Sequence, residues 1–131
     1  MKKKILFFVP LPPPIHGASV INKSIKDNKK IKNNFETFFF NSSQSKNLID
    51  VGNFNLKKTF LFLNDCVELS KKIINIKPDI IYFNPSPRGI GFYRDILYII
   101  ILKFFKKKLV FHLHGRGFKK KFKKSYIWKK L

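Results

Sequence analysis

Four short apolar runs, separated by segments of helical length, constrain the fold of this chain more than any other feature. The runs are Ile5–Val9, Phe35–Phe40, Ile80–Phe83 and Leu109–Leu113. Continuous apolar runs of this length are typical of strands that are buried on both faces, as in a parallel sheet. The helices between them are predicted at Gly17 to about Asp27, Leu56–Ile76 and Ile90–Phe105. The alternation predicts an α/β domain with a parallel sheet and helices on both of its faces.

Apolar spacing also predicts which side of each helix faces the sheet. In the first helix Ala18, Ile21 and Ile25 share one face, and Ser19 is a predicted cap. The third helix is apolar almost all round, which predicts that it is well buried. In the long second helix the predicted inner face carries Leu56, Phe60, Leu63, Val67, Ile73 and Ile74.

A chain of 131 residues is expected to form one domain with a single core. The polar segment 41–55 is a predicted loop, and no segment reads as a domain linker. A last helical segment, from Lys119 onward, has no strand after it, so residues 1–131 are expected to form one incomplete domain. The single cysteine, Cys66, excludes an internal disulfide, and its helical setting predicts a buried, inert thiol in a reducing compartment.

The net charge of +21 arises from 28 basic and 7 acidic residues. Such a charge favours anionic partners, although A/T-rich codon usage, which also enriches Ile, Asn and Phe, is an alternative source of the lysines. The terminal segment RGFKKKFKKSYIWKK interleaves cations with aromatic residues. That pattern suits an anionic membrane surface, or less readily single-stranded nucleic acid, and it also suits an ordinary amphipathic helix. The longest apolar run, Ile96–Leu102, is shorter than the about 20 residues that a membrane span needs.

Three loops follow the carboxyl ends of predicted strands, where parallel sheets bind ligands. They are Pro10–Gly17, Asn84–Gly89 and His114–Gly117, and each contains a glycine together with a histidine or an arginine. In the first loop Gly17 lets a ligand approach the backbone, and the following N–H groups are the free donors of a helix N-terminus, which favours a diphosphate. The alternative is a plain turn that needs glycine for tightness. The chain has neither a G-x-G-x-x-G nor a G-x-x-x-x-G-K motif.

Two histidines, His112 and His114, stand two positions apart on the fourth predicted strand and so point to the same side. A metal site would need a third ligand, and no acidic residue or cysteine is close in sequence, so no metal is expected. We expect His114 to face the cleft and to bind a sugar hydroxyl or a phosphate. The alternative is a pair of structural histidines. Arg88 and Arg116 are candidate phosphate partners, although isolated arginines are more often surface residues.

Three motifs in this order resemble the N-terminal half of glycosyltransferases of family 4, also called group 1, which have the GT-B fold. PLPPPIHGAS resembles the first loop of that family, KPDIIYFNPSP its third strand and loop, and LVFHLHG the strand that ends in an active-site histidine. The resemblance spans about Lys3 to Phe118. The first loop of this chain differs from the family pattern because it has one glycine, Gly17, where two adjacent glycines are common. The donor-binding C-terminal half is absent from the sequence.

The resemblance implies a Rossmann-like, acceptor-side domain of a retaining, metal-independent transferase. Such an enzyme moves a sugar from a nucleotide-sugar co-substrate to a cell-surface glycan or a lipid-linked acceptor, with no other cofactor. His114 would be catalytic, beside the transferred sugar. A second chain could supply the donor domain, and the location would be cytoplasmic, with peripheral contact at the inner face of the cell membrane. The implied substrate-binding residues are His16, Gly17, Ala18, Arg88, Gly115 and Arg116.

Two other interpretations remain open at this point. One is a non-catalytic basic protein that binds anionic membrane or, less readily, nucleic acid. The other is a non-functional remnant of a transferase. Binding that falls steeply with salt and ignores nucleotide sugars would favour the first of these.

Overall fold

The structure, a computed structural model, describes residues 1–43, 56–87 and 89–114. Strands and helices alternate along the chain as the apolar pattern predicts. The elements are β1 (Lys3–Val9), α1 (Gly17–Asp27), α2 (Lys29–Asn34), β2 (Phe35–Asn41), α3 (Leu56–Ile76), β3 (Ile80–Phe83), α4 (Gly89–Phe104) and β4 (Lys108–Phe111). The predicted helix from Lys119 onward lies outside the described residues.

The four strands form one parallel sheet in the order β2-β1-β3-β4. The chain leaves β1 toward one edge to form β2, then returns past β1 to form β3 and β4. Helices α1 and α2 pack on one face of the sheet, and α3 and α4 pack on the other. Right-handed crossover connections require this arrangement. When the chain turns from one edge of the sheet toward the other, the helix in the next right-handed crossover must lie on the opposite face. The prediction of a Rossmann-like α/β domain is therefore confirmed.

The central strand β1 shows why its apolar run is continuous. Leu6 and Phe8 point to the face covered by α3 and α4, whereas Ile5, Phe7 and Val9 point to the face covered by α1 and α2. All five side chains are buried. A strand that is covered on both sides has no polar side to present to water, so the alternation typical of half-exposed strands is missing.

Aromatic rings fill the core between β1 and α4. The Phe8 ring stacks on Phe40 and Phe83, with centroids 5.3 and 5.1 Å apart, and meets the Tyr98 ring edge-on at 4.9 Å. Burial raises the pKa of the Tyr98 phenol well above its usual range, with a further contribution from Asp65. The Tyr98 hydroxyl therefore stays protonated and donates to Asp65 of α3 at 3.3 Å. This bond ties the two helices of that face together.

The inner faces of α3 and α4 differ from those that spacing predicts. In α3 the buried residues are Leu69 and Ile73, joined by Phe62, Cys66 and Ile76. Of the predicted inner residues whose burial the structure describes, Ile73 is buried, and Phe60, Leu63, Val67 and Ile74 are exposed. Helix α4 buries Phe92, Asp95, Tyr98 and Leu102 but exposes its opposite side, so the prediction of a well-buried helix holds for one side only. Both helices are apolar on more than one side, and packing on the sheet selects which side is covered.

The start of α1 also differs from the expectation. The N-cap is His16, and Ser19 is the third helical residue and not the cap. The buried residues of α1 are Ser19 and Asn22, while Ile21 is exposed, so the predicted inner face was wrong at that position. Helix α2 was missed, although its signal is visible: the side-chain oxygen of Asn28 accepts a hydrogen bond from the N–H of Ile31 at 3.1 Å.

Two further expectations can be compared with the described residues. Cys66 is half-buried, and burial, followed by the charge of Asp65, raises the pKa of its thiol, as an inert thiol requires. Within the described ranges no helix has the length and apolarity needed to cross a bilayer.

Candidate functional site

The strand order has a topological switch point between β1 and β3, which predicts a crevice at the carboxyl edge of the sheet there. The chain after β1 turns to the α1 face, and the chain after β3 turns to the α4 face, so the two loops diverge. Parallel sheets bind ligands at such a divergence. The first and second predicted loops, which begin at Pro10 and Asn84, therefore flank the crevice.

His16 is held at the start of α1 by a reciprocal pair of hydrogen bonds. Its backbone N–H donates to Ser19 Oγ at 2.9 Å, and its Nδ1 accepts from the N–H of Ser19 at 3.3 Å. Because Nδ1 accepts, the neutral ring carries its proton on Nε2, which can then donate a hydrogen bond. Burial lowers the pKa of His16, which favours this neutral form. Ser19 is fixed in turn, since its hydroxyl donates to the carbonyl of Pro14 at 2.9 Å.

Gly17 opens the helix N-terminus to solvent. It is exposed, and a Cβ added there would meet no atom within 4 Å, so no packing contact requires a glycine. Tightness of the turn is therefore a weak explanation for this residue. The N–H groups of Gly17 and Ala18 belong to the first helical turn, where no intrahelical acceptor exists. A ligand at this position would meet two backbone donors with no side chain in the way.

The two histidines after β4 lie together, with ring centroids 4.0 Å apart. Strand β4 ends at Phe111, earlier than predicted, but the N–H of His112 still donates to the carbonyl of Phe83 at 3.0 Å. His112 Nδ1 shares a hydrogen bond with the Tyr82 hydroxyl. Burial raises the pKa of Tyr82, so the phenol stays protonated, and the tautomer of His112 sets which of the two groups donates the hydrogen bond.

His114 connects this histidine pair with the first loop. Its half-buried ring has a buried Nε2 with no hydrogen-bond partner among the described residues. Burial lowers the pKa of His114, and the charges of His112 and then His16 lower it further. The first loop and the segment after β4 both follow the carboxyl ends of parallel strands, so they lie at the same edge of the sheet. Positive charge on His114 is therefore disfavoured, which favours its neutral form.

Two buried asparagines were missed by sequence reasoning. Asn22 of α1 donates from Nδ2 to the carbonyl of Pro10 at 3.0 Å, and the N–H of Asn84 donates to the carbonyl of Phe8 at 3.4 Å. Among the described residues, Asn22 Oδ1 and Asn84 Nδ2 have no partner. A polar residue within an apolar helical stripe, or directly after a buried strand, is the signal that could have indicated them.

Asp95 fixes the loop after β3, which sequence reasoning also missed. Its Oδ2 accepts from the N–H of Ser86 at 2.6 Å, and its Oδ1 lies 2.7 Å from Arg94 Nη2. The carboxylate is 2% exposed. An acidic residue within an apolar helix is rarely buried without partners, and here the partners are a cation and a loop N–H. Asp95 thereby holds one wall of the crevice.

The structure thus brings together four of the predicted site residues at one edge, namely His16, Gly17, Ala18 and His114. Arg88, Gly115 and Arg116 lie outside the described residues, so their roles stay predictions. Within the described ranges, no group of three histidine, cysteine or acidic residues could hold a metal ion. The arrangement offers backbone donors, a neutral imidazole donor at His16 and a buried imidazole nitrogen at His114.

Acidification is expected to destabilise the protein through His16. Its pKa is lowered on folding, so as pH falls through the unfolded value of 6.5 the unfolded chain takes up the proton first. The stabilisation is complete above that value and is lost as pH falls toward the folded pKa. Protonation of Nδ1 would also break its bond with Ser19. Thermal unfolding measured from about pH 7.5 to about pH 5.5 should show a falling midpoint.

The matched variant is His16→Ser, because serine caps helices without titrating. His114, whose pKa is lowered in the same direction, would keep part of the pH dependence in this variant. We therefore expect a smaller decrease in the midpoint for His16→Ser than for the parent. Equal decreases in the two proteins would contradict the assignment of His16 as a titrating cap.

Comparisons with known proteins do not assign this chain to a family. No protein-family model, curated protein or solved structure matches this chain. The functional interpretation therefore depends on the chemistry of the crevice and on the motif resemblance.

Proposed function

We propose that this chain is the acceptor-side part of a retaining glycosyltransferase, which moves a sugar from a nucleotide-sugar donor to a glycan or lipid-linked acceptor. The observation that carries the proposal is that His114, after β4, lies at the same edge of the sheet as the open N-terminus of α1, which His16 caps. The motif resemblance supports it independently. A donor-binding domain, supplied by a second chain or by further sequence, would complete the enzyme.

The first helical turn suits a departing diphosphate. Preorganised N–H groups at a helix N-terminus stabilise negative charge, and the helix dipole adds to the effect. The N–H groups of Gly17 and Ala18 are the donors, and His16 adds its Nε2–H. These donors need no reorganisation as charge develops on the leaving group, which is the condition for electrostatic catalysis.

His114 suits a sugar hydroxyl better than a phosphate. Burial and the two neighbouring histidines favour its neutral form, and a neutral imidazole both donates and accepts hydrogen bonds. A cation would be preferred for binding phosphate alone. The unpartnered Nε2 of His114 would therefore orient the transferred sugar, while the α1 N-terminus holds the diphosphate.

The replacement Gly17→Ala tests the proposal without disturbing the fold. Nothing lies within 4 Å of the added methyl group, so we expect stability to be unchanged or raised by about 0.4–1 kcal/mol. The methyl group would keep a diphosphate away from the backbone donors, and we expect the affinity for inorganic pyrophosphate to fall about tenfold, a loss of roughly 1.4 kcal/mol. Calorimetric titration of both proteins, at a salt concentration that screens the lysines, measures this difference.

Amide chemical shifts locate the bound anion in the parent protein. We expect pyrophosphate to shift the N–H signals of Gly17 and Ala18 and the ring signals of His114. Shifts confined to the lysines, with equal affinity in Gly17→Ala, would refute the site and favour non-catalytic anion binding. A chain that binds a hydrophobic dye and is cleaved rapidly by protease would favour the remnant.

A further inference from the structure

A row of aromatic rings crosses three strands on the face of the sheet that α1 and α2 cover. The Phe39 ring of β2 stacks on Phe7 of β1, with centroids 4.7 Å apart, and Phe7 meets the Tyr82 ring of β3 at 5.1 Å. Phe7 is the register partner of both residues. Register partners point to the same side of a sheet and support one another. The buried central strand therefore holds the Tyr82 ring in place.

The row continues past the fourth strand through His112. The register partner of Tyr82 on β4 is Val110, and His112, two positions later, lies on the same side. The His112 ring is 5.8 Å from that of Tyr82, and its Nδ1 shares a hydrogen bond with the Tyr82 hydroxyl. The N–H of His112 donates to the carbonyl of Phe83 at 3.0 Å. Strand β3 thus holds both the backbone and the ring of His112.

The ring of His114 is supported by packing against His112. The centroids of the two rings are 4.0 Å apart and their planes are inclined by 39°. The buried Nε2 of His114 has no hydrogen-bond partner among the described residues. A nitrogen that stays free for a ligand cannot orient its own ring, so the orientation has to come from neighbouring groups. His112 supplies such a neighbour, and it is itself fixed by Tyr82.

We propose that Tyr82 and His112 are positioning residues for His114. The Tyr82 hydroxyl fixes the orientation of the His112 ring, and that ring supports the His114 imidazole from one side. A binding group is effective when packing and hydrogen bonds behind it set its conformation. This role of Tyr82 and His112 rests on the proposed function, because it concerns the residue assigned there to the transferred sugar. The positioning itself is measured in the protein without a ligand.

Tyr82→Phe tests this arrangement, because it keeps the ring that packs on Phe7 and removes only the hydroxyl. Without the hydroxyl, the His112 ring is free to turn and the His114 ring becomes more exposed. Burial lowers the pKa of His114, and the charges of His112 and then His16 lower it further. The first two contributions should shrink in the variant, so we expect this pKa to rise toward its ordinary value of 6.5. An NMR titration of the ring signals measures the shift, and the NOE contacts between the His112 and His114 rings should weaken.

The matched control is Tyr98→Phe, which removes the same hydroxyl from α4 on the opposite face of the sheet. That hydroxyl donates to Asp65 at 3.3 Å, so we expect a lower midpoint of thermal unfolding but unchanged His114 signals. His112→Asn keeps a side chain that can pair with Tyr82 and removes the supporting ring. It should raise the pKa of His114 as Tyr82→Phe does. Circular dichroism checks that each variant is folded.

Added pyrophosphate separates the positioning role from the proposed function. It should shift the amide signals of Gly17 and Ala18 equally in the parent and in Tyr82→Phe, but the ring signals of His114 less in the variant. A parent without these shifts would refute the diphosphate site, whereas the titration of ligand-free His114 would still decide the positioning. The same His114 pKa in the parent, Tyr82→Phe and His112→Asn would overturn the positioning role. So would an equal shift in the Tyr98→Phe control, since it would indicate general loosening of the fold.

Discussion

Phe8→Ala is expected to lower the free energy of unfolding by about 3–5 kcal/mol, since truncating a buried phenylalanine removes its transfer energy and leaves a cavity. The Phe8 ring contacts Phe40, Phe83 and Tyr98, so the cavity would lie among β1, β2, β3 and α4. Rings that support one another from three sides cannot collapse fully into the space. For a small domain this loss is a large part of the total stability.

The matched control is Phe104→Ala, the same chemical change in a side chain that is 82% exposed. We expect it to alter the free energy of unfolding by less than about 0.5 kcal/mol, because little surface leaves water on folding at that position. Urea unfolding followed by circular dichroism measures both variants. Equal destabilisation by the two replacements would contradict the placement of β1 at the centre of the sheet and of Phe104 on the outside.

Asp95→Ala is expected to lower the free energy of unfolding by about 1.5–3 kcal/mol, which is the usual contribution of a hydrogen bond to a charged group. Two groups lose the carboxylate: the N–H of Ser86 and the guanidinium of Arg94. Arg94 is the more exposed of the pair and can turn to solvent, which keeps the loss below that of a fully buried ion pair. The loop after β3 should loosen, since its bond to α4 is gone.

Two variants separate this role from a general effect of charge. Asp95→Asn keeps an oxygen that can accept the hydrogen bond from the N–H of Ser86. It should therefore lower the free energy of unfolding by less than Asp95→Ala does. Asp27→Ala removes a carboxylate from an exposed pair with Lys23 and should have no measurable effect. Hydrogen exchange at the Ser86 amide gives a local readout. Unchanged protection of that amide in Asp95→Ala would show that Asp95 does not fix the loop.

The alternation of elements could be predicted from the sequence because each buried strand is a continuous apolar run. Helix α3 and strand β3 begin and end where the pattern predicts, at Leu56–Ile76 and Ile80–Phe83. The end of β4 was predicted too late, since apolar residues continue past Phe111 to Leu113 after the ladder has ended. Helix α2 was missed because six residues, mostly lysine and asparagine, carry no apolar period.

The candidate site was predicted in part. Histidine and glycine at the carboxyl ends of strands indicated His16, Gly17 and His114 by residue type and position alone. The role of His16 as a helix cap could not be read from its type, because histidine caps helices less often than serine, asparagine or aspartate. Asn22, Asn84 and Asp95 gain their importance from burial and from partners far along the chain.

The sequence by itself determined the class of fold, since four apolar runs with helices between them can bury their surfaces well only as a covered parallel sheet. The tertiary structure alone decided which side of each helix is covered. Helices α3 and α4 are apolar on several sides, so local periodicity cannot choose among them, and the fit of Leu69, Ile73, Tyr98 and Leu102 to the sheet makes the choice. The opposite sides of the same helices are left exposed, and the parallel sheet also brings His16 and His114 to the same edge.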